Sequence, residues 1–315
     1  MPKFPELPDD EYATIYLEDT DRPLPKKVSQ STRYAYFKTI ARGGKSIIQS
    51  CKDLHLGRVI CYKSLRPEFA DDPIEQTRFL REARVSAMLQ HPNTVPTYEV
   101  GRDSKGAYYF TMKLVHGYTL REVLDYRERY DLSQLVEPLI QVAHALEYAH
   151  DHRVIHRDIK PENILVGRFG EVLLLDWGLA KVWTTDGGAQ ELGEPGAVLA
   201  EPVETITGQG KLQGTIAYMS PEQIRRDPDI DFRTDIYSLG AVLYEVLTGR
   251  SPFTAELVNE MADHILQDTP AAPSSVSNHP VPPLLEALAM RCLAKSPEAR
   301  PENCAEVVRL LQEDW

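Results

Sequence analysis

The hydrophobic rhythm of the chain changes once, near Gly117, and that change limits the folds open to it. From Tyr34 onward, apolar residues fall in short strand-length runs: YAYFKTIA, a run over Ser46–Cys51, VICYKSL, TVPTYEVG and YYFTMKLV. Asp103-Ser-Lys-Gly106 reads as the hairpin connection between the last two. One helix interrupts the strands. Asp72 is placed to cap it, Pro73 suits its first position, and Glu75 completes a capping-box spacing. Along it Phe79, Ala83 and Ala87, with Leu80 and Met88 a turn to either side, make an apolar stripe. After Gly117 the period is helical. Leu132–His152 carries Leu135, Val136, Leu139, Ile140, Val142, Ala143, Leu146 and Ala149 at helical spacing. Ile236–Leu247 is apolar nearly all round, which requires a helix buried in the centre of a large domain. Between these helices lie strand-like ILV (164–166) and VLLL (172–175), and a Pro-rich loop (270–283) precedes two final helices. There is no internal repeat. The pattern predicts an α+β fold, with a small antiparallel β lobe holding one helix and a larger α-helical lobe.

A chain of 315 residues buries about 75% of its unfolded surface, so it needs neither disulfides nor metals to hold a core. With 35 Lys plus Arg against 47 Asp plus Glu, the net charge is −12. That balance argues against a nucleic-acid partner, since phosphate-backbone binding wants a basic face. Cys51, Cys61, Cys292 and Cys304 lie far apart with no CxxC pair, which suits a reducing, cytoplasmic setting. The start is acidic and broken by prolines, unlike a signal peptide, and residues 1–33 read as an extended arm. No run of about 18 apolar residues exists to span a membrane.

The strongest local signal is His156-Arg-Asp-Ile-Lys-Pro-Glu-Asn163. Asp176-Trp-Gly178 follows thirteen residues after Asn163, directly behind an apolar strand. Upstream, Lys63 ends Ile60-Cys-Tyr-Lys, and Glu82 lies on the capped helix. Downstream, Met219-Ser-Pro-Glu222 closes a long polar stretch. Taken alone, a strand lysine or a helix glutamate is usually a solvated surface charge. The joint order and spacing are another matter. Together they resemble the eukaryotic-type protein kinases from about residue 34 to 311, and RFLREAR, HPNTVPTYEVG and GTIAYMSPEQ resemble bacterial members. Lys160, two residues after Asp158, is similar to the serine/threonine branch. The resemblance implies the bilobal kinase fold, with an N-lobe at 34–115, a C-lobe at 116–315 and an activation segment at 176–222.

Phosphoryl transfer by such proteins is positioning and charge neutralisation. The resemblance implies that Asp158 orients the acceptor hydroxyl and accepts its proton, while Lys160 neutralises the moving phosphoryl group. Asn163 and Asp176 would hold Mg²⁺, with Mn²⁺ as the alternative ion, because hard cations prefer oxygen ligands. Lys63 would contact the α/β-phosphates of ATP and be aimed by Glu82. Met112 would stand at the back of the adenine slot, Lys113–Val115 in the hinge, and Ile48, Cys61 and Leu165 against the nucleotide. Lys63, Asp158 and Asp176 would then meet around the terminal phosphate. Glu222 would pair with Arg300, and Asp235 would brace the catalytic loop.

The phosphate-cradling loop departs from the family. G-x-G-x-x-G-x-V falls on Ala41-Arg-Gly43-Gly44-Lys-Ser46-Ile-Ile48, and of the three glycines only Gly43 remains. Glycine there permits φ > 0 and close approach of backbone N–H groups to phosphate. Ala41 and Ser46 are the smallest replacements, so ATP binding is expected to be weakened but not abolished. Ser86 and Thr97 fall, beside Trp177 and His156, where the family stacks four apolar side chains. Gly44-Lys45-Ser46 imitates the end of a Walker A loop, but position 39 is Thr and no βαβ pattern surrounds it. His144, His150, His152 and His156 crowd together as a metal site would, but His156 belongs to the 156–163 motif, and the others read as residues suited to the carbonyl dipole at a helix end.

The activation segment carries Thr184, Thr185, Thr205 and Thr207, with Thr215 in a Gly-Thr position, and Arg157 suggests ordering by a phosphate. The expectation is an ATP- and Mg²⁺-dependent serine/threonine kinase of protein substrates. Its rival is a pseudokinase, the same fold used as a binding or scaffold module.

Overall fold

The computed structural model describes residues 33–182, 216–313 and 315. The arm at 1–32 and the activation-segment threonines 184, 185, 205, 207 and 215 lie outside these residues. The described chain forms two compact units, residues 33–90 with 95–117, and 91–94 with 118 onward.

The first unit is a five-stranded antiparallel sheet with one helix. Strands β1 (Tyr34–Arg42), β2 (Ser46–Asp53), β3 (Arg58–Leu65), β4 (Thr97–Arg102) and β5 (Tyr108–Met112) pair in the order β1-β2-β3-β5-β4. The Asp103–Gly106 hairpin closes as expected: Asp103 Oδ1 accepts from Lys105 N and Ala107 N, and Gly106 takes φ +87. Thr94–Pro96, read from sequence as the start of β4, is not strand, and Thr94 instead bridges Leu174 in the second unit. Alternation gives the sheet two apolar faces. Cys51, Ile60, Tyr62 and Tyr109 pack on one, with Tyr62 and Tyr109 stacked at 4.6 Å. Leu65 and Phe110 pack on the other, against Phe79 and Ala83 of helix α1 (Pro73–Met88).

Asp72 caps α1, accepting from Ile74 N at 2.9 Å and Glu75 N at 3.3 Å. The reciprocal half of the capping box is absent because the Glu75 carboxylate is engaged elsewhere, by Lys45 and Arg78. The apolar stripe also differs from its sequence reading. Ala87 and Met88 face out, and Val85 is buried in their place.

The second unit is mostly helical. After β6 (Gly117–Thr119) come α2 (Leu120–Leu124), α3 (Leu132–Asp151) and the short strands β7 (Val154–Ile155), β8 (Ile164–Gly167), β9 (Val172–Leu174) and β10 (Lys181–Val182). Then follow α4 (Pro221–Arg225), α5 (Arg233–Thr248), α6 (Val258–Gln267), α7 (Pro273–Val276), α8 (Pro283–Cys292) and α9 (Cys304–Leu311). The Pro-rich loop thus holds one short helix, α7. Asp131 and Gln134 form a reciprocal capping box at the start of α3. On α5 every residue from Thr234 to Leu247 is buried, as its all-round apolar sequence requires. Helix α8 crosses α5 at Gly240, where an added Cβ would stand 2.2 Å from the Cys292 Cβ.

Candidate active site

Sheet register assembles one group of expected site residues in the first unit. Antiparallel partners project to the same face. Ala41 pairs with Ile48, Ile48 with Lys63, and Cys61 with Met112. Cys61 and Lys63 are two apart on β3, as Ser46 and Ile48 are on β2. Ala41, Ser46, Ile48, Cys61, Lys63 and Met112 therefore share the face on which α1 packs. From α1, Glu82 meets Lys63 at 2.6 Å, and both side chains are nearly buried. The Lys63 ammonium also lies 5.7 Å from the centre of the Phe110 ring. Burial pushes the Cys61 thiol up to about 12, so it stays protonated and presents a small apolar surface. Beyond β5, Lys113 N donates to Pro96 O at 3.0 Å, and Val115 is half-buried.

The β1–β2 turn is closed by Gly43 N donating to Ser46 O at 2.9 Å. Thr97 Oγ1 is buried with no hydrogen-bond partner among the described residues.

The second unit carries the other group. Asp158 is clasped by its own loop. Lys160 Nζ donates to both carboxylate oxygens at 2.8 Å. Asn163 Nδ2 donates to Oδ2 at 2.9 Å and to the Asp158 carbonyl at 2.8 Å. Burial raises the Asp158 carboxyl above its ordinary value, and the charge on Asp176 adds to the rise, while Lys160 and its hydrogen bond oppose it. Leu175 N donates to Asn163 O at 2.8 Å, which sets the next residue, Asp176, beside the same loop. Asp176 is exposed, adopts φ 62, and accepts from Gly178 N at 3.2 Å. Leu165 is half-buried on β8.

The loop is held from behind. His156 Nδ1 accepts from Asp158 N at 3.2 Å, while its Nε2 lies 2.9 Å from Leu175 O. A backbone N–H can only donate and a carbonyl only accept, so His156 is the neutral ring protonated on Nε2. Its ring meets the buried Trp177 edge-on at 4.5 Å. Asp235, on the buried helix α5, accepts from His156 N and Arg157 N at 2.8 Å each. Burial alone would raise the Asp235 carboxyl, but the His150 hydrogen bond and these donors hold it below the ordinary range. Arg157, at φ 67, sends Nε to Leu179 O at 2.7 Å.

His150 corrects the sequence reading. It is not a carbonyl cap; its Nε2 meets Asp235 Oδ2 at 2.9 Å, and its Nδ1 lies 3.7 Å from Cys304 Sγ. The ionised Asp235 can only accept, so Nε2 carries the proton. His152 does bond a carbonyl, that of Tyr148, at 2.8 Å. Glu222 and Arg300 form a buried bidentate pair at 2.6 and 2.8 Å. A further network went unread in the sequence: Arg121 joins Glu162 at 3.0 Å and Glu245 at 2.6 Å, with Tyr218 hydrogen-bonded to both Arg121 and Glu245.

Among the described residues, no three His, Cys, Asp or Glu side chains cluster to hold a metal ion. Asn163 has an amide oxygen and Asp176 a carboxylate to offer, on segments joined by the Leu175 N to Asn163 O hydrogen bond. That fits a hard divalent ion whose remaining ligands come from phosphate and water, as Mg²⁺ sites do. No described helix is long and apolar enough to cross a membrane.

A carboxylate clasped by a lysine and an amide, with a second carboxylate close by, suits phosphoryl transfer, where the protein positions groups and neutralises charge. Comparison with known proteins gives the same class. Residues 34–315 match the protein kinase domain, and the chain belongs to that family, in its bacterial-type serine/threonine branch. It is 35% identical over 312 residues to the serine/threonine-protein kinase PknD of Protochlamydia amoebophila, covering 93% of this chain and 30% of that protein. It is 34% identical over 280 residues to PknB of Mycobacterium tuberculosis, covering 88% of this chain and 42% of that one. A probable serine/threonine-protein kinase of Streptomyces coelicolor is 34% identical over 278 residues, covering 87% and 39%. The chain thus spans less than half the length of these curated relatives.

Proposed function

We propose that this chain transfers the γ-phosphate of ATP to serine or threonine hydroxyls of protein substrates in the cytoplasm. The observation that carries the reading is the Asp158 carboxylate held in one orientation by Lys160 and Asn163. A base so aimed takes the proton of an acceptor hydroxyl as it attacks, and Lys160 stands ready to neutralise the phosphoryl group passing over it. Lys63, fixed by Glu82, contacts the α/β-phosphates. The shared sheet face of Ala41, Ser46, Ile48, Cys61 and Met112 receives the nucleotide, with Gly43 in the turn above its phosphates; Leu165 is a further nucleotide contact by resemblance. With Lys113 N–H already engaged, its carbonyl and the Val115 backbone serve the adenine edge. Mg²⁺, or Mn²⁺ in its stead, would be held by Asn163 and Asp176 and supplies charge neutralisation at the phosphates.

Autophosphorylation falls among Thr205, Thr207 and Thr184/Thr185, with Arg157 as the phosphate's partner. Mass mapping after ATP incubation reads it directly, and no phosphate between 181 and 213 removes it. The loss of two of three loop glycines favours a second reading, a scaffold that binds without turnover. Transfer of labelled γ-phosphate to a generic basic protein, wild type against Asp158→Asn, separates the two. Equal background signals would leave only the scaffold.

A further inference from the structure

The turn that carries Gly43, the one motif glycine kept, and Gly44 beside it is fastened by more than its own closure. Arg66 N donates to Lys45 O at 2.9 Å, and Arg66 Nη1 to Gly44 O at 3.1 Å. From the same turn Lys45 reaches Glu75 on α1, Nζ to Oε1, at 2.6 Å. The Lys45 side chain is 44% exposed and that of Glu75 only 9%. A lysine this solvated gains little from an ion pair as such. Glu75 already has a partner on its own helix in Arg78, at 2.8 Å. The contact with Lys45 therefore does little for burial or fold stability; what it does is join two pieces of the unit.

Which pieces it joins follows from helix geometry. Glu75 and Glu82 are seven residues apart, about two turns, and project from one side of α1. Each meets a lysine of the sheet at 2.6 Å, Glu82 that of β3 and Glu75 that of the β1–β2 turn. One helix side thus carries two parallel lysine–glutamate clasps.

We propose that Lys45 and Glu75 are positioning residues that make the placement of turn 43–46 and the Lys63–Glu82 pairing a single coupled event. The inference rests on the reading above that this turn covers nucleotide phosphates. In glycine-rich loops the backbone moves freely over the phosphate; here Ala41 and Ser46 reduce that freedom and the clasp fixes the turn against α1. Coupling is reciprocal: a nucleotide that settles the turn strengthens Lys63–Glu82, and a displaced α1 loosens the turn.

Lys45→Met and Lys45→Arg test this, because Arg78 still satisfies the buried Glu75 in both and the fold is retained. In nucleotide-free protein, hydrogen exchange should quicken together in residues 43–49 and in α1 of Lys45→Met, and return toward wild type in Lys45→Arg. Equilibrium titration with Mg²⁺ and ATP should give a Kd raised about fivefold or more in Lys45→Met, restored in Lys45→Arg. In turnover the change should fall on KM for ATP more than on kcat. Unchanged exchange, quickening in the turn without α1, or an equal or lower Kd in Lys45→Met overturns the coupling. Wild-type protein that binds no ATP sinks the functional reading instead, and the exchange experiment still decides the clasp.

Discussion

Lys160 Nζ lies 2.8 Å from each carboxylate oxygen of Asp158, so the proposed base and its nearest cation form one rigid unit. Asp158→Asn keeps the side-chain size but trades one accepting oxygen for an amide NH2, so it removes the proton acceptor and part of the clasp. Phosphotransfer should fall by about 10²- to 10⁴-fold while ATP affinity changes little. Single-turnover assays beside nucleotide titration measure both quantities. A parallel loss of affinity would mean that Asp158 serves binding instead.

The same carboxylate sets a pH limit. Burial and Asp176 raise its pKa above the ordinary value, and only the ionised form accepts a proton. Activity should therefore be lost, as pH falls, at a higher pH than a free aspartate would give. The acid limb of the kcat/KM profile reports this group. A limb at or below the usual aspartate value of about 3.9 contradicts the assignment.

Glu82→Gln leaves the Lys63 ammonium with a neutral partner in a nearly buried place. A charged hydrogen bond contributes about 1.5–3 kcal/mol, so kcat/KM should drop roughly 10- to 150-fold. The melting temperature should move little, since the pair sits on a helix anchored by Phe79 and Ala83. Large destabilisation with activity preserved per folded molecule would make the pair structural.

His150→Leu removes one donor from a fully buried carboxylate. A hydrogen bond to a charged group contributes about 1.5–3 kcal/mol, and denaturant unfolding should register its loss. Because Asp235 also holds His156 N and Arg157 N, kcat should fall as well, although residue 150 lies outside the loop that carries the proposed base. Full activity in the folded variant would show that the loop does not depend on this contact.

Arg300→Met breaks a buried pair and leaves Glu222 uncompensated. Removing one partner of such a pair costs about 3–5 kcal/mol. Unfolding of the helical unit, followed by circular dichroism in urea, should shift accordingly. A shift below about 1 kcal/mol would mean that the site relaxes or admits water.

Much of this was legible in the sequence because it is local or repeated. Strand alternation located β1, β2, β3 and β5, and an all-round apolar run located α5. The motif 156–163 named residues that the loop then brings into hydrogen-bond contact. What escaped depends on partners distant along the chain. The spacing of Glu75 from Asp72 suggested a cap, but Lys45, thirty residues upstream, takes its carboxylate. His150 looked like a helix-end residue because its partner Asp235 is 85 positions away. One signal was available: His150 falls four residues after Leu146 and seven after Ala143, on the buried stripe of α3. A polar ring on that stripe demands an internal partner. Val85 replaced Ala87 and Met88 in the core because the stripe on α1 turns sooner than its apolar residues suggest.

One carboxylate on the most deeply enclosed helix thus dictates the shape of the loop that carries the proposed base. Asp235, rooted in α5, ties His156 and Arg157 to that helix, so the loop loosens most readily when α5 does. Heat should therefore release loop 156–163 together with the helical unit, at the temperature where that unit comes apart.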